Sequence, residues 1–126
     1  MTLDVDICCD MSPANLLRLQ AAVSGLHPVH RMTPRRAPLR LTQESAAGWK
    51  NLYLDTDWGQ LDCLGEVKGI GAYPACYKRS VRIRIEAGAC RVLGLDALIQ
   101  AKRAMGRPRD IETVEQLCSI RARRRR

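Results

Sequence analysis

Two carboxylates stand two residues apart in Asp4-Val5-Asp6. On a β-strand, positions i and i+2 point to the same face. Both carboxylates would then project together, while Val5 anchors the opposite face. Like charges this close repel, and a shared divalent cation relieves the repulsion. A third carboxylate, Asp62, lies in Gln60-Leu61-Asp62-Cys63-Leu64, flanked by Leu61 and Cys63. If the two segments are neighbouring strands, Asp4, Asp6 and Asp62 share one sheet face. Three such groups can hold two Mg²⁺ ions about 3.5–4 Å apart, which suits in-line displacement at phosphorus. Asp55 and Asp57 are rivals for the third position but lie nearer a hairpin turn. The same residues also suit an ordinary solvated strand face.

Other reactive side chains say less. Cys8, Cys9, Cys63, Cys76, Cys90 and Cys118 form no C-x-x-C, and no secretion signal precedes them. They read as reduced, mostly buried thiols in a cytoplasmic protein. His27 and His30 make an H-x-x-H without further ligands nearby, a weak basis for zinc.

The elements that would position the carboxylates follow from pattern. Leu3, Val5, Ile7 and Cys9 alternate with polar neighbours, which predicts a strand over residues 3–9. Ser12 is a natural N-cap and Pro13 suits the first helical position. Leu16, Leu19, Gln20 and Val23 continue at helical spacing, and Gly25 stops the helix. Residues 27–38, with Pro28, Pro34, Pro38, Arg31, Arg35 and Arg36, read as a loop, and 39–48 carry no clear period. Residues 51–57 and 60–64 predict a hairpin across Trp58 and Gly59. Gly65, Gly69 and Gly71 mark a further loop. Val81, Ile83 and Ile85 alternate with Arg82, Arg84 and Glu86, which predicts a strand with all three apolar side chains buried. A short strand follows at 90–94. Asp96 is expected to cap a helix through Met105, with Leu98, Ala101 and Met105 on one face. Gly106 and Pro108 end it. A last helix is expected from about Arg109 to Cys118, with Ile111, Val114, Leu117 and Cys118 inward. Strands and helices in this order make an α+β plan. The expected organisation is one domain over 1–118 and a disordered basic tail over 119–126.

Composition sets the outer bounds. The chain has 126 residues, 46% hydrophobic and 27% charged, the balance of a globular domain rather than a disordered or fibrous chain. Phe is absent, so the core must be aliphatic. No apolar run approaches the ~20 residues that span a bilayer, which speaks against a membrane partner. The formal net charge is +8, and five arginines fall in the last six residues, Arg121 and Arg123 to Arg126. That tail, with Arg31, Arg35 and Arg36, offers a weak nucleic-acid contact. The few aromatic residues are not interleaved with the basic ones, so no base-stacking platform is expected.

Five segments in order resemble bacterial nucleotidyltransferase-fold proteins of the DNA polymerase β superfamily. They are T-L-D-V-D-I at 2–7, S-P-A-N-L-L-R-L at 12–19, L-D-T-D-W-G-Q-L-D-C-L-G at 54–65, G-I-G-A-Y at 69–73 and V-L-G-L-D-A-L-I-Q-A-K-R-A-M-G-R-P-R-D at 92–110. The chain is most similar to the minimal group whose members often occur in toxin–antitoxin or phage-defence gene pairs. The resemblance covers nearly the whole chain before the arginine tail. It implies a nucleotidyltransferase-like mixed sheet with flanking helices. It implies Asp4, Asp6 and Asp62 as ligands of two Mg²⁺ ions, and Asp62 as the catalytic group that draws the proton from an attacking hydroxyl. The implied reaction moves a nucleoside monophosphate from an NTP to an acceptor hydroxyl and releases pyrophosphate. Lys102 and Arg107, within the stretch that also holds Arg103 and Asp110, look like donors to the nucleotide triphosphate. The alternative role for Arg107 and Asp110 is to tie the last two helices together.

The chain departs from the family at one point. A helix and a Gly-Gly or Gly-Ser turn normally precede the first carboxylate, and their backbone N–H groups cradle the phosphates. Met1 stands three residues before Asp4, so the expectation is an N-terminally truncated member. As a complete chain it would bind metal weakly and catalyse poorly or not at all, since lost phosphate donors cost ~10²–10³ in rate. Two functions therefore stand side by side: a Mg²⁺-dependent nucleotidyltransferase, and a non-catalytic module of the same fold that binds a partner protein chain in the manner of an antitoxin. The second predicts an exposed apolar patch where the missing N-terminal helix would pack.

Overall fold

In the computed structural model, which describes residues 4–125, strands and helices alternate in an α+β arrangement. The chain divides into two compact units, Met1–Glu66 and Val67–Arg126.

The first unit is built on a four-stranded mixed sheet in the order β1-β4-β3-β2. Its strands are β1 (Asp4–Cys8), β2 (Val29–His30), β3 (Asn51–Thr56) and β4 (Gly59–Leu64). Leu3, expected to open the first strand, lies outside the described residues. Helix α1 (Pro13–Val23) starts as expected, with the Ser12 side chain accepting from the Asn15 N–H and Pro13 in the first turn. Leu16 from α1 and Leu52, Leu54 and Cys63 from the sheet are almost fully buried together. Leu39, Leu41 and Ala46 complete this core, so the segment without a readable period supplies apolar cover. The Gln20 side chain fastens it to α1, accepting from the Leu41 N–H at 2.6 Å and donating to the Leu41 carbonyl at 3.2 Å. A hydrogen bond to Cys9, and then burial, push the Cys63 thiol upward, so it stays protonated. Val5 departs from expectation, being 54% exposed and no anchor for its strand.

The second unit has less apolar cover. A short ladder of β5 (Glu66–Val67) and β6 (Gly71–Ala72) occupies the stretch where the glycines suggested only loop, and leads into α2 (Tyr73–Lys78), a six-residue helix in a stretch for which no element was expected. Strands β7 (Ser80–Ile85) and β8 (Gly88–Leu93) pair antiparallel as an isolated two-stranded ribbon. Val81, Ile83 and Ile85 were expected to be buried, and this is corrected: they are 49%, 38% and 47% exposed. The alternation is real, but no further strand joins the ribbon.

Helices α3 (Leu95–Met105) and α4 (Pro108–Arg124) follow. Gly94 rather than Asp96 is the N-cap of α3, and Asp96 sits in its first turn, where a carboxylate favours the helix dipole. Ala97, Ile99 and Ala101 face inward, whereas Met105 is exposed. On α4, Val114 is buried and Ile111 is 55% exposed, so the inward stripe is narrower than its apolar spacing implied. Nor does the helix end at Cys118: it continues to Arg124 through residues assigned in advance to a disordered tail. Arg126 lies outside the described residues.

The turn between α3 and α4 is held by Asp110, which is buried. Arg107 donates to Asp110 Oδ2 from Nε at 2.6 Å and from its backbone N–H at 3.2 Å, and to Oδ1 from Nη2 at 3.2 Å. This guanidinium holds the Asp110 carboxyl below its usual range, against the opposing effect of burial. A carboxyl lowered in the folded state contributes stability above its unfolded pKa, about 3.9, and loses it as pH falls through the folded value. Asp110→Asn is expected to be less stable than wild type at pH 7, with the gap closing below about pH 4. Chemical denaturation across that range measures it, and a gap independent of pH would contradict the assignment. Leu16→Ala is expected to cost about 2–5 kcal/mol, whereas Ile83→Thr should shift stability by only about 0.5 kcal/mol. Equal losses in urea titrations would mean that the ribbon face is covered after all.

Candidate carboxylate site

The site follows from strand register. β1 lies parallel to β4 with Asp4 opposite Gln60 and Asp6 opposite Asp62. β3 runs antiparallel on the other side of β4, with Tyr53 opposite Asp62 and Asp55 opposite Gln60. Directly paired residues point to the same side of a sheet. Two rows therefore cross one face: Asp6, Asp62 and Tyr53 in one, Asp4, Gln60 and Asp55 in the other. The opposite face carries Ile7, Leu61, Cys63, Leu52 and Leu54 into the core. Alternation alone accounts for this segregation, because a strand of period two that buries its apolar set must expose its carboxylates together.

The sequence motifs thus come together as expected in register. Asp4 and Asp6 are exposed, and the Asp62 side chain is 22% exposed. Asp55, one of the rival ligands, lies on the same face. Asp57 lies beyond the strand, 2.6 Å from His27 Nδ1.

One residue of this face was missed. Arg31 Nη2 donates to Asp62 Oδ1 at 2.7 Å, and Nη1 donates to the Leu54 carbonyl at 3.1 Å and lies 4.0 Å from Asp55. Its guanidinium also stands 5.7 Å from the centre of the Tyr53 ring, within cation–π range. The Arg31 N–H donates to the Tyr53 carbonyl at 2.8 Å, so the backbone fixes where the side chain begins. Arg36 pairs with Asp55 at 2.6 Å. Arg31 and Arg36, which the sequence groups with a nucleic-acid contact, pair here with the protein's own carboxylates. A usable signal was present: a strand face loaded with carboxylates needs counter-charge, and Arg31, Arg35 and Arg36 precede β3 in the chain.

Among the described residues, no group of three His, Cys, Asp or Glu side chains is gathered closely enough to hold an ion. Arg31 follows β2, and β3 and β4 separate β2 from β1. Arg31 holds Asp62 Oδ1 from the β2 side of the sheet. In kind, the donors still fit a hard divalent cation such as Mg²⁺, which prefers carboxylate oxygens. Asp4 and Asp6 offer a pair of carboxylates, and Asp62 has Oδ2 beyond the oxygen held by Arg31.

Lys102 and Arg107 belong to the second unit and both turn to Asp110, Lys102 Nζ at 3.9 Å and Arg107 Nε at 2.6 Å. Arg107 closes the first turn of α4 as its N-cap, and Lys102 reaches the same carboxylate from α3. The histidines form no metal pair: His30 stacks on Trp49 at 5.4 Å, and His27 meets Asp57. No helix among the described residues is long and apolar enough to cross a membrane.

Comparison with known proteins adds no relative: no protein-family model, no curated protein and no solved structure matches the chain.

Proposed function

We propose that the carboxylate face of the first unit is a Mg²⁺-dependent nucleotidyl-transfer site, with an NTP as donor and a hydroxyl as acceptor. The observation that carries this reading is the parallel register of β1 and β4, with Asp6 opposite Asp62. Asp4 and Asp6 are the residues that would hold the cation, with Asp62 as the third ligand. When bound, Mg²⁺ supplies neutralisation of the carboxylates and of the phosphate oxygens. Asp62 accepts the proton of the attacking hydroxyl as that oxygen bonds to the α-phosphorus and pyrophosphate departs. Arg31 orients Asp62 and competes with the cation for it. Because Arg31 Nη2 already occupies Asp62 Oδ1 at 2.7 Å, Arg31 sets how readily the site is loaded.

A second reading is favoured by the uncovered ribbon. Val81, Ile83, Ile85 and Val92 are exposed, an apolar surface of the kind that binds partners. In that reading the fold is a non-catalytic partner-binding module, and the carboxylates are solvated polar residues.

Mg²⁺ titration separates the two. Asp4→Asn with Asp6→Asn is expected to abolish Mg²⁺-induced thermal stabilisation, and Arg31→Met to strengthen Mg²⁺ binding by about tenfold, ~1.4 kcal/mol. Asp62→Asn is expected to remove Mg²⁺-dependent pyrophosphate release from NTPs. An unchanged thermal shift in the double variant would sink the metal site. Mg²⁺ binding without any pyrophosphate release in wild type would leave the partner-binding module as the better reading.

A further inference from the structure

Arg79, Arg103, Arg121 and Arg125 line one concavity of about 410 Å³ in the second unit, together with Asp96, Gln100 and the buried Ile99. They come from separate places in the chain. Arg79 is the C-cap of α2, Arg103 lies on α3, Arg121 in the last turn of α4, and Arg125 is its C-cap. Among the described residues that line it, Asp96 is the single carboxylate beside four guanidiniums. Four cationic groups against one carboxylate leave the concavity with a net positive charge.

Three of the guanidiniums, those of Arg79, Arg103 and Arg121, are also held in place. Arg79 Nη1 donates to Gln100 Oε1 at 2.7 Å, and Gln100 Nε2 donates to the Gly69 carbonyl at 2.5 Å. Gly69 has φ +86°, and a Cβ there would come within 2.7 Å of Ala104, so only glycine brings that carbonyl so close to α3. Arg121 Nη1 donates to Asp96 Oδ1 at 2.9 Å. The Cys118 sulfur accepts from Arg103 at 3.7 Å and from Arg121 at 3.9 Å. The Asp96 carboxyl is held below its usual range, first by Arg121, with Arg125 and Arg79 adding to the positive field. Planar guanidinium forks restrained in this way match phosphate oxygens in geometry and charge.

We infer that this concavity binds a compact phosphate anion of charge two or more, a phosphomonoester or an oligophosphate. The site needs no metal and shares no residue with the carboxylate face of the first unit, so it stands whether or not nucleotidyl transfer does. No aromatic ring lines it, so nothing offers a nucleobase a stacking surface. A bound anion would link the end of α2 to α3 and α4, and would stabilise the second unit by mass action.

Titration of the full chain with inorganic pyrophosphate tests this, in buffer freed of metals on chelating resin, by calorimetry and thermal melting. The expected result is saturable one-site binding and a raised melting temperature. Arg79→Gln and Arg103→Gln leave the Arg121–Asp96 bridge intact, and each is expected to weaken binding about tenfold. Gln100→Ala frees Arg79 without removing charge and is expected to weaken binding by a smaller factor. Arg82→Gln with Arg84→Gln, on the ribbon, should leave the affinity unchanged. Equal loss in the ribbon variant, or no loss in the Arg79 and Arg103 variants, would overturn the site. So would a single-stranded RNA that displaces pyrophosphate with higher affinity and a steep salt dependence, which would assign these arginines to nucleic acid instead.

Discussion

The parallel pairing of β1 with β4 is the constraint on which the first unit depends. Parallel neighbours need a crossover connection, and the chain from α1 to β3 supplies it, wrapping the apolar face of the sheet. That wrap brings Leu16, Leu39, Leu41 and Ala46 onto Leu52, Leu54 and Cys63. Once that face is covered, period-two alternation leaves no choice for the other face. Asp4, Asp6, Asp55 and Asp62 must emerge together, and their mutual repulsion must be met by a cation. The protein provides one of its own, Arg31, and a second at the edge, Arg36. The carboxylate face and the arginine that guards it are thus consequences of one strand register.

Charge divides the molecule along the same line as its contacts. The second unit holds fifteen of the 21 Lys and Arg residues and five of the 13 Asp and Glu residues. The first unit therefore has a slight acidic excess. Assigning the basic balance to the last six residues captured only part of this asymmetry. Arg79, Arg82, Arg84, Arg91, Arg103, Arg107 and Arg109 also lie in the second unit, outside the tail. Nor are the tail arginines all loose charges. Arg121 bridges to Asp96 from within α4, so at least part of the run is fixed relative to α3.

Period-two segments were the most legible part of the chain. Asp4-Val5-Asp6 and Gln60 to Leu64 were readable as strands, and so was the hairpin of β3 and β4. Their carboxylates fall on one face, as the spacing implies. Short elements were not readable. β2 has two residues and α2 has six, too few for a period to declare itself. The segment at 39–48 was opaque for a different reason. Its buried residues, Leu39, Leu41 and Ala46, are chosen by the sheet and helix they cover, and no repeat of their own records that. Arg31 was visible as a basic residue, but its partner lies 31 positions away. Only the fold brings Asp62 within its reach.

The ribbon of β7 and β8 shows the limit of alternation most clearly. Val81 opposite Val92 and Ile83 opposite Cys90 form an apolar side, and Arg82 opposite Arg91 a basic one. Alternation records that the two sides differ. It does not record that the apolar side is covered, because cover depends on a second layer that the ribbon does not contain. The basic side carries its own sign of tension, since like charges directly opposite are unfavourable. Arg91 is drawn aside onto the Tyr77 ring, 4.3 Å from its centre, and donates to Ser80 Oγ at 3.1 Å. That diversion relieves the Arg82–Arg91 pair at the expense of an exposed tyrosine face. It also anchors the ribbon to α2, whose last turn precedes it, and through Arg79 and Gln100 the same turn is tied to α3. The second unit is therefore organised around arginines as much as around apolar contacts, and its small core of Cys76, Ala97, Ile99, Ala101 and Val114 suffices because those polar ties share the work of fixing its elements.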